Sequence, residues 1–137
     1  MSREQRGQAS VLLIGVLLVG LMFAGLAIDG ARMFTARRDL QNVADSAALA
    51  GASSLDEARY RASDGLEVRL DPFAARRAVD EVLSSSSLPA SVHVDVSVSS
   101  DRVDVRIARP VRPLLLGLIG IGPEQIGAHA SASPQTG

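Results

Sequence analysis

The sequence predicts an α+β fold. It has a long N-terminal membrane-spanning helix that continues into an amphipathic helix, a second short helix, and a small antiparallel sheet of about three strands. Three observations carry this reading. Ala9 to Ile28 is a run of twenty residues without a charge, an Asn or a Pro. A helical apolar period follows it. Near the C-terminus valines alternate with polar residues at the period of a strand.

At roughly 1.5 Å per residue the run covers about 30 Å, the thickness of a bilayer's hydrocarbon core. Arg3 and Arg6 stand before it and Asp29, Arg32, Arg37 and Arg38 after it. The competing reading is a cleaved secretory signal, with Gly25-Leu26-Ala27 as a small-x-small site and release after Ala27. The run is longer than such a signal needs, and the helical pattern continues past the site. Basic residues flank both ends, so charge does not set the orientation. Gly20, Ala24, Ala27 and Ala31 recur at four, three and four, a stripe of small residues on which another helix can approach closely.

Beyond the span, Ala36, Leu40, Val43, Ala47 and Ala50 keep an amphipathic period, opposed by Arg37, Arg38, Gln41, Asn42 and Asp45. Leu40, Val43 and Ala47 mark a helix-packing face. With Gly51 and Ser53-Ser54 as stop signals, one helix is expected from about Gln8 to Ala52. Residues 53–70 are weakly patterned and fit a loop or a short helix. Asp71-Pro72 reads as an N-cap followed by proline at the first helical position, opening a helix to about Leu83 with Ala75, Ala78, Val79, Val82 and Leu83 on one face.

Val92, Val94, Val96 and Val98 alternate with His93, Asp95 and Ser97, and Val103, Val105 and Ile107 alternate with Asp104 and Arg106. A turn at Ser100-Asp101 sets Val98 opposite Val103, Val96 opposite Val105 and Val94 opposite Ile107. The same register puts Asp95 opposite Arg106, a favourable cross-strand pair. Pro110 and Pro113 are expected to interrupt pairing. Leu114–Ile121 is too short to span a bilayer and either caps the small core or rests on the membrane surface. Ile126, Ala128, Ala130 and Ala132 alternate as a third strand. The organisation is then 1–8, a short tail; 9–28, the transmembrane helix; 29–52, its helical extension; 53–133, a small α+β region; and 134–137, a C-terminal tail.

Composition narrows the function. The chain has 137 residues and a net charge of −1, which gives no bulk attraction to nucleic acid. All its basic residues are Arg. Without Cys there are no disulfides, thiolate metal sites or Cys nucleophiles. His93 and His129 have no second ligand at metal spacing and are expected to face solvent. Asp56-Glu57 and Asp80-Glu81 are adjacent pairs, poorly placed for acid–base work on a helix. Gly117, Gly120 and Gly122 lack the Lys-Ser/Thr of a phosphate loop. Asp29, three residues before Arg32, is expected to form a local ion pair. No catalytic residue, cofactor site or metal site is expected, and no small-molecule substrate.

One stretch is specific. Gly25-Leu26-Ala27-Ile28-Asp29, Arg32, and Arg38-Asp39-Leu40-Gln41-Asn42-Val43-Ala44-Asp45-Ser46-Ala47-Ala48-Leu49-Ala50-Gly51-Ala52 closely resemble the N-terminal segment of TadE/TadG-like proteins. These serve the tight-adherence (Tad, or Flp-type) pilus-assembly systems of bacteria. The resemblance runs over roughly residues 6–52 and is looser beyond. It implies a pilin-like, non-enzymatic component of the cytoplasmic membrane with its C-terminal region outside the cytoplasm. The implied partners are the membrane and, through helix packing, other assembly proteins or further copies of itself. Pilin-like members of the family carry a Glu five residues after the processing Gly. Here Gly7 is followed at that distance by Leu12, so processing at Gly7 is not expected and a short TadG-like member fits better. The large extracytoplasmic domain of long TadG-like proteins has no room here. The rival reading is a membrane-tethered binding or regulatory module for another envelope protein.

Overall fold

The structure, a computed structural model, describes residues 3–134. Residues 1–2 of the expected N-terminal tail and 135–137 of the expected C-terminal tail lie outside it. Helix α1 runs Arg3–Ala52, helix α2 Glu57–Ala62 and helix α3 Pro72–Ser85. Strands β1 (His93–Val98), β2 (Val103–Val111) and β3 (Glu124–Ala132) form one antiparallel sheet in that order. The class is α+β, as the sequence predicts.

Helix α1 ends at the expected residue and begins at Arg3, ahead of the expected start at about Gln8. Among the described residues one helical stretch is long and apolar enough to cross a membrane, Gln8–Ala52 near the N-terminus. Residues 8–24 of it are exposed, with Leu12, Leu17, Leu21 and Phe23 each about two-thirds exposed. Its second half is the spine of the head.

There Leu40, Ala44, Ala47 and Ala48 are buried in one cluster with Ala75 and Val79 of α3 and with Val103, Val105, Ile107, Ala128 and Ala130 of the sheet, and Ala36 and Ala52 are buried as well. Helix α1 lies across β2 and β3, while α3 packs beside it and reaches β1. Alanines dominate this side of α1 because the helix, α3 and the sheet meet at short range. Gly51 is the tightest point. A Cβ built there falls 2.8 Å from Val79 Cγ2 and 3.1 Å from both methyls of Val103.

Between α1 and α3, the Asp56 side chain accepts from the Arg59 N–H at 3.1 Å and starts α2, the short helix admitted by the weak pattern. Leu55 bridges Leu70, and the Asp71 N–H donates to the Ser54 carbonyl at 3.0 Å, so the excursion returns to its start. Asp71 then caps α3 as expected, accepting from the N–H groups of Phe73 at 2.9 Å and Ala74 at 3.2 Å. Helix α3 continues two residues past Leu83. Its last carbonyls are taken by the hydroxyls of Ser84, Ser85 and Ser86.

The β1–β2 register is the predicted one: Val98 pairs with Val103, Val96 with Val105, Asp95 with Arg106 and Val94 with Ile107. The Asp95 and Arg106 side chains do not close an ion pair among the described residues. On that polar face Asp104 Oδ1 instead lies 3.3 Å from His129 Nε2. Pro113 lies past the end of β2, as expected, but Pro110 behaves otherwise. Strand β2 runs through Pro110, which pairs with Gln125 of β3. This is tolerated because β1 begins opposite Ala108, so at Pro110 the strand has one neighbour only and its missing N–H costs no second ladder. The β2–β3 hairpin therefore outruns β1. It descends along α1 from the level of Gly51 to that of Met33 and Phe34.

Candidate helix interface and the Asp29 anchor point

The geometry of α1 separates two faces. Gly25, Asp29, Ala36 and Leu40 are buried by the protein's own chain. At 3.6 residues per turn these four lie close to one line along the helix, and Gly20, Ala24, Ala27 and Ala31 fall roughly 160° from it. All four stripe residues are exposed, and a Cβ at Gly20 would meet nothing within 4 Å. The small-residue stripe is thus turned away from the head.

The second packing face is already occupied. Leu40 and Ala47 are 1% and 0% exposed inside the head's core, and Val43 packs against its edge. The amphipathic period of residues 36–50 therefore binds α1 to its own sheet and α3. The remaining singled-out residues divide similarly. Ala44, Ala48 and Ala52 are core residues, and Gly51 is the close-approach point. Gln41 Nε2 donates to Asp45 Oδ1 at 2.8 Å and to the His129 carbonyl at 3.1 Å, tying α1 to β3. Ala50 is half-buried, while Arg32 and Leu49 are exposed. Gly7 lies within the first turns of α1.

Asp29 departs from expectation. It is 2% exposed, and among the described residues its carboxylate makes no ion pair with Arg32. Oδ1 accepts the Leu114 N–H at 2.9 Å, and Oδ2 accepts those of Leu115 and Leu116, each at 2.8 Å. The local pair gives way because three backbone donors at the start of a 3-10 turn, Leu116–Ile119, satisfy the carboxylate more fully than one exposed guanidinium. The Leu116 N–H foremost, joined by those of Leu114 and Leu115 and by the charge of Arg32, holds the carboxyl below the ordinary Asp range against the opposing effect of burial. Immediately beyond, the Leu115 side chain fills the space beside Gly25, 3.1 Å from a Cβ built there. The glycine admits the loop.

Sequence reasoning missed this junction. An acid at the end of an apolar run and an apolar octet some eighty-five positions later carry no mutual signal. Only the length of the β2–β3 hairpin brings them level.

No metal-binding group of three His, Cys, Asp or Glu occurs among the described residues. His93 and His129 line an open groove with Arg37, Gln41, Asp95 and Arg106. Both are solvent-exposed, as their strand positions suggested.

Residues 7–54 match the family model described as putative Flp pilus-assembly TadE/G-like, so this segment is similar to that family. The matched residues are nearly coextensive with α1, leaving most of the head outside the match. No curated protein and no solved structure matches the chain.

Proposed function

We propose that this protein is a non-enzymatic, single-pass component of a Tad (Flp-type) pilus or related secretion apparatus, held in the cytoplasmic membrane by residues 9–28 with residues 53–133 extracytoplasmic. It contacts other assembly proteins, or further copies of itself, through Gly20, Ala24, Ala27 and Ala31. The observation that carries this reading is that the family match covers α1, and α1 commits only one side to its own head. In lipid there is no hydrophobic drive between helices, so association depends on close backbone approach and van der Waals contact. The free side supplies the small residues such contact needs.

The test compares Gly20→Leu and Ala24→Leu with Leu18→Ala, which lies off the stripe. All three keep the segment apolar. At equal membrane abundance, the two leucine variants lose cross-linked or co-purified complex and Leu18→Ala retains it. Association of both leucine variants at the wild-type level would refute the stripe as the interface. The side of the membrane is tested separately, since the native chain has no Cys. Cysteine at Ser85 or Ser100, both exposed, reacts with an impermeant maleimide on intact spheroplasts, and reaction only after lysis would place the head in the cytoplasm.

A further inference from the structure

We propose that the β2–β3 connection, Leu114–Ile121, is a second membrane-contacting element that lies in lipid beside the upper part of the anchor and fixes the height and orientation of the head. This rests on the reading of residues 9–28 as a membrane span.

The first argument is position. Past Asp29 the connection does not turn back toward the head but continues along α1. Leu115 packs on Gly25, and Leu116 shares an apolar groove with Val19, Met22, Phe23 and Leu26. The middle of that groove lies five to six residues before Ile28, about 8 Å along the helix axis. A segment seated there occupies the same slab as the anchor's own side chains. A bilayer that takes in Phe23 and Leu26 takes in the loop as well.

The second argument is composition. No charge occurs between Arg112 and Glu124, so the polar residues stand at the entry and exit of the loop and none within it. Leu114 and Ile121 are 57% and 47% exposed, continuous with Phe23 at 68% and Leu26 at 52%. Among the described residues nothing covers these side chains fully. Any protein covering them would itself have to sit at membrane depth, where lipid is already present.

The third argument is the backbone. Irregular chain is excluded from hydrocarbon unless its N–H and C=O groups find partners within the protein. In water the leading N–H groups of a 3-10 turn need no such partner, because solvent serves. Here Asp29 takes the N–H groups of Leu114, Leu115 and Leu116. At the other end the Gly120 N–H donates to the Gly117 carbonyl at 3.2 Å and that of Ile121 to the Leu116 carbonyl at 3.1 Å. Gly120 closes the turn at φ 87°, a conformation glycine accepts without strain. The loop's leading donors are satisfied before it meets an environment without water.

The chain has no Trp, so single tryptophans report position. The full-length protein carrying Leu114→Trp, Ile121→Trp, Leu26→Trp or Ser100→Trp is reconstituted into phosphatidylcholine vesicles with and without bromine on the acyl chains. Acrylamide is the aqueous quencher. Leu26→Trp marks the anchor and Ser100→Trp the far end of the head. Leu114→Trp and Ile121→Trp are expected to behave like Leu26→Trp, losing most of their fluorescence to brominated lipid and little to acrylamide. If Leu26→Trp is quenched by brominated lipid while both loop tryptophans respond only to acrylamide, like Ser100→Trp, the loop is not in the membrane although the anchor is. If Leu26→Trp itself responds only to acrylamide, the anchor reading fails and the inference falls with it.

Discussion

Asp29 and Leu115 stand 86 positions apart in sequence and are joined by a 2.8 Å hydrogen bond from the Leu115 N–H to the carboxylate. With its two companions this bond fastens the foot of the β2–β3 hairpin to α1 at the first residue past the apolar run. Higher up, Gln41 holds β3 to the same helix. The head is thereby attached along two levels of α1, and its tilt relative to the helix is set by both.

Replacing Asp29 by Ala leaves three N–H groups without their acceptor, and replacement by Asn retains one acceptor oxygen where two are used. In detergent micelles, amide hydrogen exchange at Leu114, Leu115 and Leu116 is expected to accelerate in both variants, more in Asp29→Ala than in Asp29→Asn. Exchange in the core of α3 and the β1–β2 pair should stay close to wild type. Unchanged protection at Leu115 and Leu116 in Asp29→Ala would show that packing on Gly25 alone holds the loop.

The same carboxylate gives the attachment a pH dependence. Its pKa is lowered in the folded protein, so the unfolded state binds the proton more readily. The resulting stabilisation is fully present above the ordinary Asp pKa and is lost as pH falls through the lowered folded value. Protection of the Leu114–Leu116 amides is therefore constant across neutral pH and declines only on acidification below the usual carboxylate range. In Asp29→Asn the acid-dependent step should vanish. A loss of protection near neutral pH would mean that a different group controls the docking.

The C-terminal half of α1 separates core from surface one turn at a time. Leu40 is 1% exposed and Leu49 is 70% exposed. Leu40→Ala removes a buried side chain from the core and is expected to cost about 2–5 kcal/mol, a large part of what so small a head possesses. Leu49→Ala should fall within about 0.5 kcal/mol of wild type. Denaturant unfolding of the head in micelles separates the two. Equal effects would mean that Leu49 is packed as closely as Leu40.

How far these relationships could be read in advance depended on whether the signal was local. The valine register was legible because period-two alternation and the Asp95–Arg106 opposition point to the same pairing. The Asp71-Pro72 start of α3 was legible because an N-cap is written within three residues. What was not legible required two distant segments. The face of Leu40 and Ala47 advertised packing without naming its partner, which proved to be the chain's own sheet and α3. Pro110 looked like a strand end because sequence alone does not reveal that β2 outruns β1 there. Asp29 looked like half of an i, i+3 ion pair because its actual partners are backbone groups, which any residue type supplies.

Gly51 offers the sharpest test of how α1, α3 and the sheet meet. Its absent side chain leaves room for Val79 Cγ2 and for both methyls of Val103. A methyl group placed 2.8 Å from Val79 forces the helix or the valine to move, and the strain of overpacking is expected to cost about 1–3 kcal/mol. Alanine's better helix propensity offsets this by under about 1 kcal/mol, so Gly51→Ala should be net destabilising. Val79→Ala alone loses buried methyls and is also destabilising. In combination the small residue at 79 admits the methyl at 51, so the double variant should be more stable than the sum of the single losses predicts. A double-mutant cycle by denaturant unfolding of the head reads that coupling. Strict additivity would mean that the two positions do not touch and that α1 and α3 are set further apart than a glycine contact requires.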